Sequence, residues 1–245
     1  LWPNGELSPE PGRALTMAVA APLQLQAGET LIDAGSGLGQ GAVDLASAFA
    51  LGRVIGVNPN QRQVAFATEL ANSMGESVRV RFEIADACTW LNSLSPGSIH
   101  GVMAVECIGH FPRPESFFAA TVRALMPGRR LAFCLNVSLK QPTWLERIVF
   151  ATSFGFVPSS PAKWQERLRE AGFVDTVTVD LTPQVTGALC EVVQSRLADG
   201  GSSLDSLSRT TRLVAVSLQW FTRRAVRDGR LGYVLIHAAA PDRSA

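Results

Sequence analysis

The chain has 245 residues, 47% of them hydrophobic and 18% charged, with a formal net charge of +1. This composition supports one large α/β domain, or a domain carrying an inserted cap, and excludes an intrinsically disordered chain. It shows no basic run suited to nucleic acid, no apolar stretch of membrane-spanning length and no basic-then-apolar leader.

Taken in chain order, residues 13–25 read as a helix leading to a strand over 30–34. A helix follows over 40–51, then a strand at Arg53–Val57. Gln61–Met74 has helical spacing, with Val64, Ala65, Leu70 and Ala71 on one face. Val78–Ile84 alternates as a third strand and Ile99–Val105 is a fourth. Pro114–Met126 is a helix stopped by Pro127-Gly128, and Leu131–Leu135 is a fifth strand. Pro161–Ala171 is a helix capped by Gly172. Val174–Leu181 and Leu231–Ala238 are the last two strands. Helices alternating with strands predict a parallel sheet covered on both faces.

About 50 residues separate the last two strands, far more than a hairpin needs. This insert is apolar and helix-compatible, with Leu213, Val214, Val216, Leu218, Trp220 and Phe221, and Gly200-Gly201-Ser202-Ser203 divides it. It reads as a helical lid over the substrate side, the alternative being a scaffold or a face for a homo-oligomer. The expected organisation is a core over 1–183, a lid over 184–228, and the last strand with its tail over 229–245. Trp144, Phe150, Phe154 and Phe156 are expected to join the lid's wall.

Cys88, Cys107, Cys134 and Cys190 are scattered with no CxxC pair, which predicts buried free thiols in a reducing cytoplasm. With three histidines, His100, His110 and His237, no multi-histidine metal site is expected. His100 and His237 lie within strands and read as structural.

Leu31-Ile32-Asp33-Ala34-Gly35-Ser36-Gly37-Leu38-Gly39-Gln40 carries the most chemistry. A buried strand runs into a glycine-rich turn and a helix, which aims backbone N–H groups at a ligand. Gln40 occupies the slot where a dinucleotide fingerprint needs its third glycine. No Gly-Lys-Ser/Thr closes the turn, so a phosphate-binding P-loop is also excluded. The remaining pattern, an acid, one apolar residue and Gly-x-Gly-x-Gly, resembles motif I of the class I S-adenosylmethionine (SAM) methyltransferases.

That resemblance implies a doubly wound, mostly parallel, seven-stranded Rossmann-like sheet with a helical lid before the last strand. It implies SAM as cofactor, held by Asp33, Gly35, Ser36, Gly37 and Gln40, with the two glycines letting backbone approach the methionine portion. Asn58 stands where the family usually has an acid for the ribose hydroxyls. Its neutral amide can still bond hydroxyls, without charge assistance. Gly56-Val57-Asn58-Pro59-Asn60-Gln61-Arg62-Gln63-Val64 resembles the sterol and natural-product branch, which makes Gln63 a second cofactor candidate; a solvated helix residue is the other reading. By the same resemblance, Asp86 accepts from the adenine amino group and the Ala87 N–H serves a ring nitrogen.

Glu106-Cys107-Ile108-Gly109-His110-Phe111-Pro112 resembles the family's Glu-x-x-x-His-x-Pro, which closes over the methionine part and faces the acceptor. Glu106 is therefore a candidate for both cofactor and substrate hydroxyls. His110 is either the general base or a loop hydrogen bond that shapes the pocket. Phe117–Leu131 matches the family's helix, Leu-x-Pro-Gly-Gly, strand pattern with Arg129 in place of the second glycine. The function implied is methyl transfer, to oxygen or carbon, on a bulky, fairly apolar small molecule of secondary metabolism, with neither nucleic acid nor membrane as partner. The alternative is a cyclase that keeps the SAM-binding fold without transferring a methyl group.

Overall fold

The alternation of apolar residues along the central strands determines the layering. In a computed structural model, residues 10–185 and 221–242 are described. Seven strands form one sheet in the order β3-β2-β1-β4-β5-β7-β6. They are β1 (Thr30–Ala34), β2 (Arg53–Asn58), β3 (Val80–Ile84), β4 (Ile99–Val105), β5 (Leu125–Ser138), β6 (Val174–Asp180) and β7 (Leu231–Ala239). The strands from β1 to β5 run parallel, whereas β7 is antiparallel to both β5 and β6. The helices are α1 (Pro11–Ala20), α2 (Gln40–Ala48), α3 (Gln61–Ser73), α4 (Ala87–Ser93), α5 (Pro114–Ala124), α6 (Trp144–Phe154) and α7 (Pro161–Glu170).

Along β5, Leu131, Phe133 and Leu135 join one buried cluster, with Phe117 and Phe118 of α5 and Trp164 of α7. Ala132 and Cys134 join the other, with Val19 of α1 and Val43 and Leu45 of α2. The strand period of two thus sends alternate residues into the two helical layers. The seven-stranded, mostly parallel sheet expected from the sequence is the one found.

Several boundaries differ for identifiable reasons. The first helix ends at Ala20 rather than residue 25, since Pro22 has no N–H to continue it; a 3-10 turn, Ala21–Leu23, follows. On α3 the buried residues are Val64, Ala67 and Ala71, and Ala65 faces solvent. The third strand starts at Val80, because Val78 sits in a turn closed by Arg79 and Val80 N–H bonds to the Glu76 carbonyl and is 91% exposed. α4 was not anticipated.

Pro127-Gly128 does not separate helix from strand. The strand begins at Leu125, which pairs with Ile99, and the pair lies in a bulge where the register shifts. Residues before a proline avoid helical backbone, and a strand tolerates proline at a bulge. Gly128 takes φ +70° and its N–H bonds to the Ala240 carbonyl. Arg129, the residue in the family's glycine slot, ion-pairs with Glu29 and ties this bulge to the turn before β1.

The insertion read as a lid falls outside the described residues apart from its ends. Residues 221–227 are helical, and Ala225 packs on Phe150 and Leu231. Of the residues expected in the lid's wall, Phe150 is buried in that contact while Trp144 is 74% exposed. No described helix is long and apolar enough to cross a membrane.

Candidate functional site

The chain leaves β1 for β2 and β3 on one side, then returns to β4 on the other. This is the switch point at which open α/β sheets form a crevice beyond the strand C-termini. Parallel register brings the ends of β1, β2, β3 and β4 to one edge: Ala34 pairs with Val57, and Asn58 with Ile84. The turn 35–39, Asn58, Asp86 and the loop 106–112 all follow those ends, so the fold gathers these sequence candidates along one edge.

The three glycines of the turn adopt left-handed backbone, with φ of +76° at Gly35, +53° at Gly37 and +84° at Gly39. Their reasons differ. A Cβ at Gly35 would lie 2.6 Å from the Cys107 Cβ, so the loop after β4 rests directly on this residue. A Cβ at Gly39 would lie 2.6 Å from the Ala67 Cβ and 2.7 Å from the Phe82 ring, so Gly39 permits close packing of α2 on α3 and β3. Only Gly37 faces open space, with no atom within 4 Å of such a Cβ. Gly35 N–H bonds to the Val57 carbonyl at 2.8 Å and Gly39 N–H to the Ser36 carbonyl at 2.9 Å, which fixes the turn. The Ser36 hydroxyl is buried with no hydrogen-bond partner.

Asp33 is 4% exposed in β1, and burial alone pushes its carboxyl up to about 7. Gln40 opens α2, and its side-chain amide donates to Asp44 Oδ1 at 2.9 Å, one turn along the helix. It lines a groove of about 620 Å³ with Arg13, Ser47 and Glu76. The groove runs along α2 rather than into the crevice. Gln40 is therefore the turn candidate whose side chain is engaged elsewhere.

Asn58 and Gln63, read separately from the sequence, form one unit. The Asn58 amide donates to Gln63 Oε1 at 2.8 Å and to the Gly37 carbonyl at 3.4 Å. Its carbonyl oxygen accepts from the Asn60 N–H at 2.9 Å. The buried Asn58 side chain thus braces the glycine turn, and Asn60 caps α3.

Asp86 is the N-cap of α4. Its Oδ1 accepts from the Thr89 N–H at 2.9 Å and the Thr89 hydroxyl at 3.1 Å. Ala87 is the first residue of that helix, where an N–H has no intrahelical acceptor. Beside them lies a cavity of about 250 Å³ bounded by Asp86, Cys88, Phe111, Arg113 and Phe117.

Glu106 has left-handed backbone, φ +55°, uncommon for a residue with a side chain. Its N–H bonds to the Cys134 carbonyl at 3.1 Å, and its Oε1 accepts from the Tyr233 hydroxyl at 2.9 Å. His110 ends a 3-10 turn and is exposed, its ring meeting Phe156 edge-on at 5.2 Å. Gly109 exists because a Cβ there would lie 2.4 Å from the same Phe156 ring. Among the described residues no hydrogen bond is made to the imidazole, whose Nδ1 edge lies beside Gly155, 3.2 Å from where a Cβ there would sit.

The described thiols are not activated. Cys107 is held by a 2.9 Å hydrogen bond to the Ala34 carbonyl, and burial keeps it well above the ordinary thiol range. Burial also pushes Cys134 up to about 12. Cys88 and Cys107 are half-buried rather than buried, and Cys190 lies outside the described residues. His100 Nδ1 accepts from the Thr30 N–H, a structural bond between β1 and β4. The residue missed from sequence is Tyr233, which reaches the site from β7. Its signal was that it is the chain's single tyrosine, within an apolar strand where a buried hydroxyl must find a partner.

Residues 32–133 match the family model described as a methyltransferase domain. The O-methyltransferase resE of Aspergillus sclerotiorum is 31% identical over 163 residues, which cover 65% of this chain and 60% of that protein. The 27-O-demethylrifamycin SV methyltransferase of Amycolatopsis mediterranei is 29% identical over 93% of this chain and 83% of its own length. Among solved structures, the [4+2]-cyclase SpnF superposes with a TM-score of 0.82 at 23% identity, covering 98% of this chain and 86% of that one. Over the matched segment the chain is similar to methyltransferase domains, and its fold is the one seen in that solved structure. The chain spans less than two thirds of the resE protein.

Proposed function

We propose that the protein transfers the methyl group of SAM to an oxygen or carbon of a bulky, fairly apolar small molecule of secondary metabolism. The observation that carries this reading is Gly37: a left-handed, sterically open backbone position at the switch-point crevice, where a ligand can approach the main chain. The buried, unpartnered Ser36 hydroxyl supports the same fit. Bound SAM supplies an electrophilic methyl group. Asp33, Gly35, Ser36 and Gly37 hold its methionine end, while the Asn58–Gln63 pair presents hydrogen-bonding groups toward its hydroxyls. Asp86, the Ala87 N–H and the adjoining cavity take the adenine end.

On the acceptor side, His110 takes the proton of an acceptor hydroxyl, since its ring is seated by Phe156 and its nitrogens are uncommitted. Glu106 orients the acceptor through a hydrogen bond. The apolar composition of the insertion over 184–228 supports a bulky acceptor rather than nucleic acid. Free thiols support a reducing, cytoplasmic setting.

Titration calorimetry with SAM tests the cofactor site. The Gly37→Asp protein is expected to fold, since Asp tolerates left-handed backbone and its Cβ has room, yet to lose SAM binding. Wild-type protein without detectable SAM binding overturns the proposal. Incubation with SAM and a panel of hydroxylated polyketide and terpenoid acceptors, 27-O-demethylrifamycin SV among them, is read by mass. A product heavier by one methyl group is expected. Unchanged mass with altered connectivity would assign cyclisation, a chemistry that this fold also houses.

A further inference from the structure

Glu106 leaves the end of β4, and the sheet order around it is β2-β1-β4-β5-β7. The glycine turn and Asn58 lie on the β1–β2 side of β4. The contacts that hold Glu106 come from the opposite side. From β5, the Cys134 carbonyl takes the Glu106 N–H at 3.1 Å. From β7, the Tyr233 hydroxyl donates to Glu106 Oε1 at 2.9 Å. Tyr233 Oη also lies 3.2 Å from Cys134 Sγ, so the thiol and the phenol form one buried chain ending on the carboxylate.

Tyr233 is 2% exposed, and burial holds both its phenol and the Cys134 thiol protonated. The phenol's one proton is within reach of both Glu106 Oε1 and Cys134 Sγ, and the carboxyl oxygen is the closer and stronger acceptor. Glu106 itself is exposed at the crevice, and among the described residues its Oε2 takes no hydrogen bond.

We propose that Tyr233 is a positioning residue: its hydroxyl holds the Glu106 carboxylate on the β5–β7 side of the crevice, so that Oε2 faces the methyl acceptor and not the cofactor. This rests on the methyl-transfer reading above. Glu106 then accepts a hydrogen bond from a hydroxyl of the acceptor. Its second assignment from sequence, as a cofactor contact, falls away.

The chain's single tyrosine makes the test specific, because protein labelled with ¹³Cζ-tyrosine gives one resonance. Glu106→Gln is expected to move that resonance, because the Tyr233 hydroxyl then donates to a different acceptor. A resonance unchanged in Glu106→Gln overturns the pairing. In Tyr233→Phe, SAM affinity by calorimetry is expected to stay within about threefold of wild type. On an acceptor found by the mass assay, its KM is expected to rise about tenfold, the loss of one charge-assisted hydrogen bond. A SAM affinity weakened about tenfold would place Glu106 on the cofactor and refute the proposal. Failure of the wild type to bind SAM at all would refute the methyl-transfer reading instead, and leaves the tyrosine resonance to decide the pairing.

Discussion

Replacing Asp33 by asparagine is expected to stabilise the protein at alkaline pH. Asp33 is buried in β1 between Ile32 and Ala34, and no described cation or hydrogen bond compensates its charge. Burial raises its carboxyl from the ordinary 3.8 to about 7. Between those values the folded state binds more protons than the unfolded state, so stability falls as pH rises. The gap of about three pH units, at about 1.4 kcal/mol each, bounds the loss at about 4 kcal/mol. Relaxation and water access reduce that to about 2–3 kcal/mol. The Asp33→Asn substitution removes the titration while keeping the shape. Urea denaturation from about pH 4 to about pH 8 should show wild-type stability declining through this range. Asp33→Asn should stay flat, the two meeting at the acid end. A wild-type slope unchanged by the substitution, or a variant less stable at alkaline pH, would refute the reasoning. In the proposed function SAM is a cation, so its wild-type affinity should also strengthen as Asp33 ionises.

Gly39→Ala is expected to lose about 2–4 kcal/mol, from left-handed backbone together with the clash on Ala67 and Phe82. Gly37→Ala should lose only about 1–2 kcal/mol, and a thermal melt comparing the two checks the difference. Glu146 accepts from Thr143 and from Arg230, whose guanidinium draws its carboxyl down to about 2. That contribution is present above the ordinary 4.5 and lost as pH falls through about 2. Glu146→Gln should therefore lose about 1–3 kcal/mol near neutral pH and nothing at the acid end, as read by denaturant midpoints. Alkylation with iodoacetamide near neutral pH, followed by peptide mass spectrometry, should modify Cys88 ahead of Cys134, whose thiol is buried and pushed up to about 12.

Local chemistry was legible wherever a residue acts on its own neighbours. The strand–glycine turn–helix at 31–40, Pro114 opening α5, and the apolar runs of β1, β4 and β7 are short-range signals, and each element lies where they indicated. The turn also excluded dinucleotide and phosphate ligands by spacing alone. Signals failed where two short-range preferences competed. Pro127-Gly128 has the composition of a turn, but pairing of Leu125 with Ile99 turned it into a bulge. Asp86 carried a cofactor assignment, and its capping of a seven-residue helix was overlooked.

The sequence by itself determined the resemblance to methyltransferases, the alternating α/β order and the segments that gather at the strand ends, because hydrophobic period and glycine placement are properties of consecutive residues. Only the tertiary structure decided what each candidate touches. It separated Gly37, where a Cβ would meet open space, from Gly35 and Gly39, which are packed. It joined Asn58 to Gln63, drew Gln40 toward Asp44, and brought Tyr233 onto Glu106 across 127 positions of chain. Such contacts depend on strand order and on which face of a strand a side chain leaves, and no local pattern encodes either.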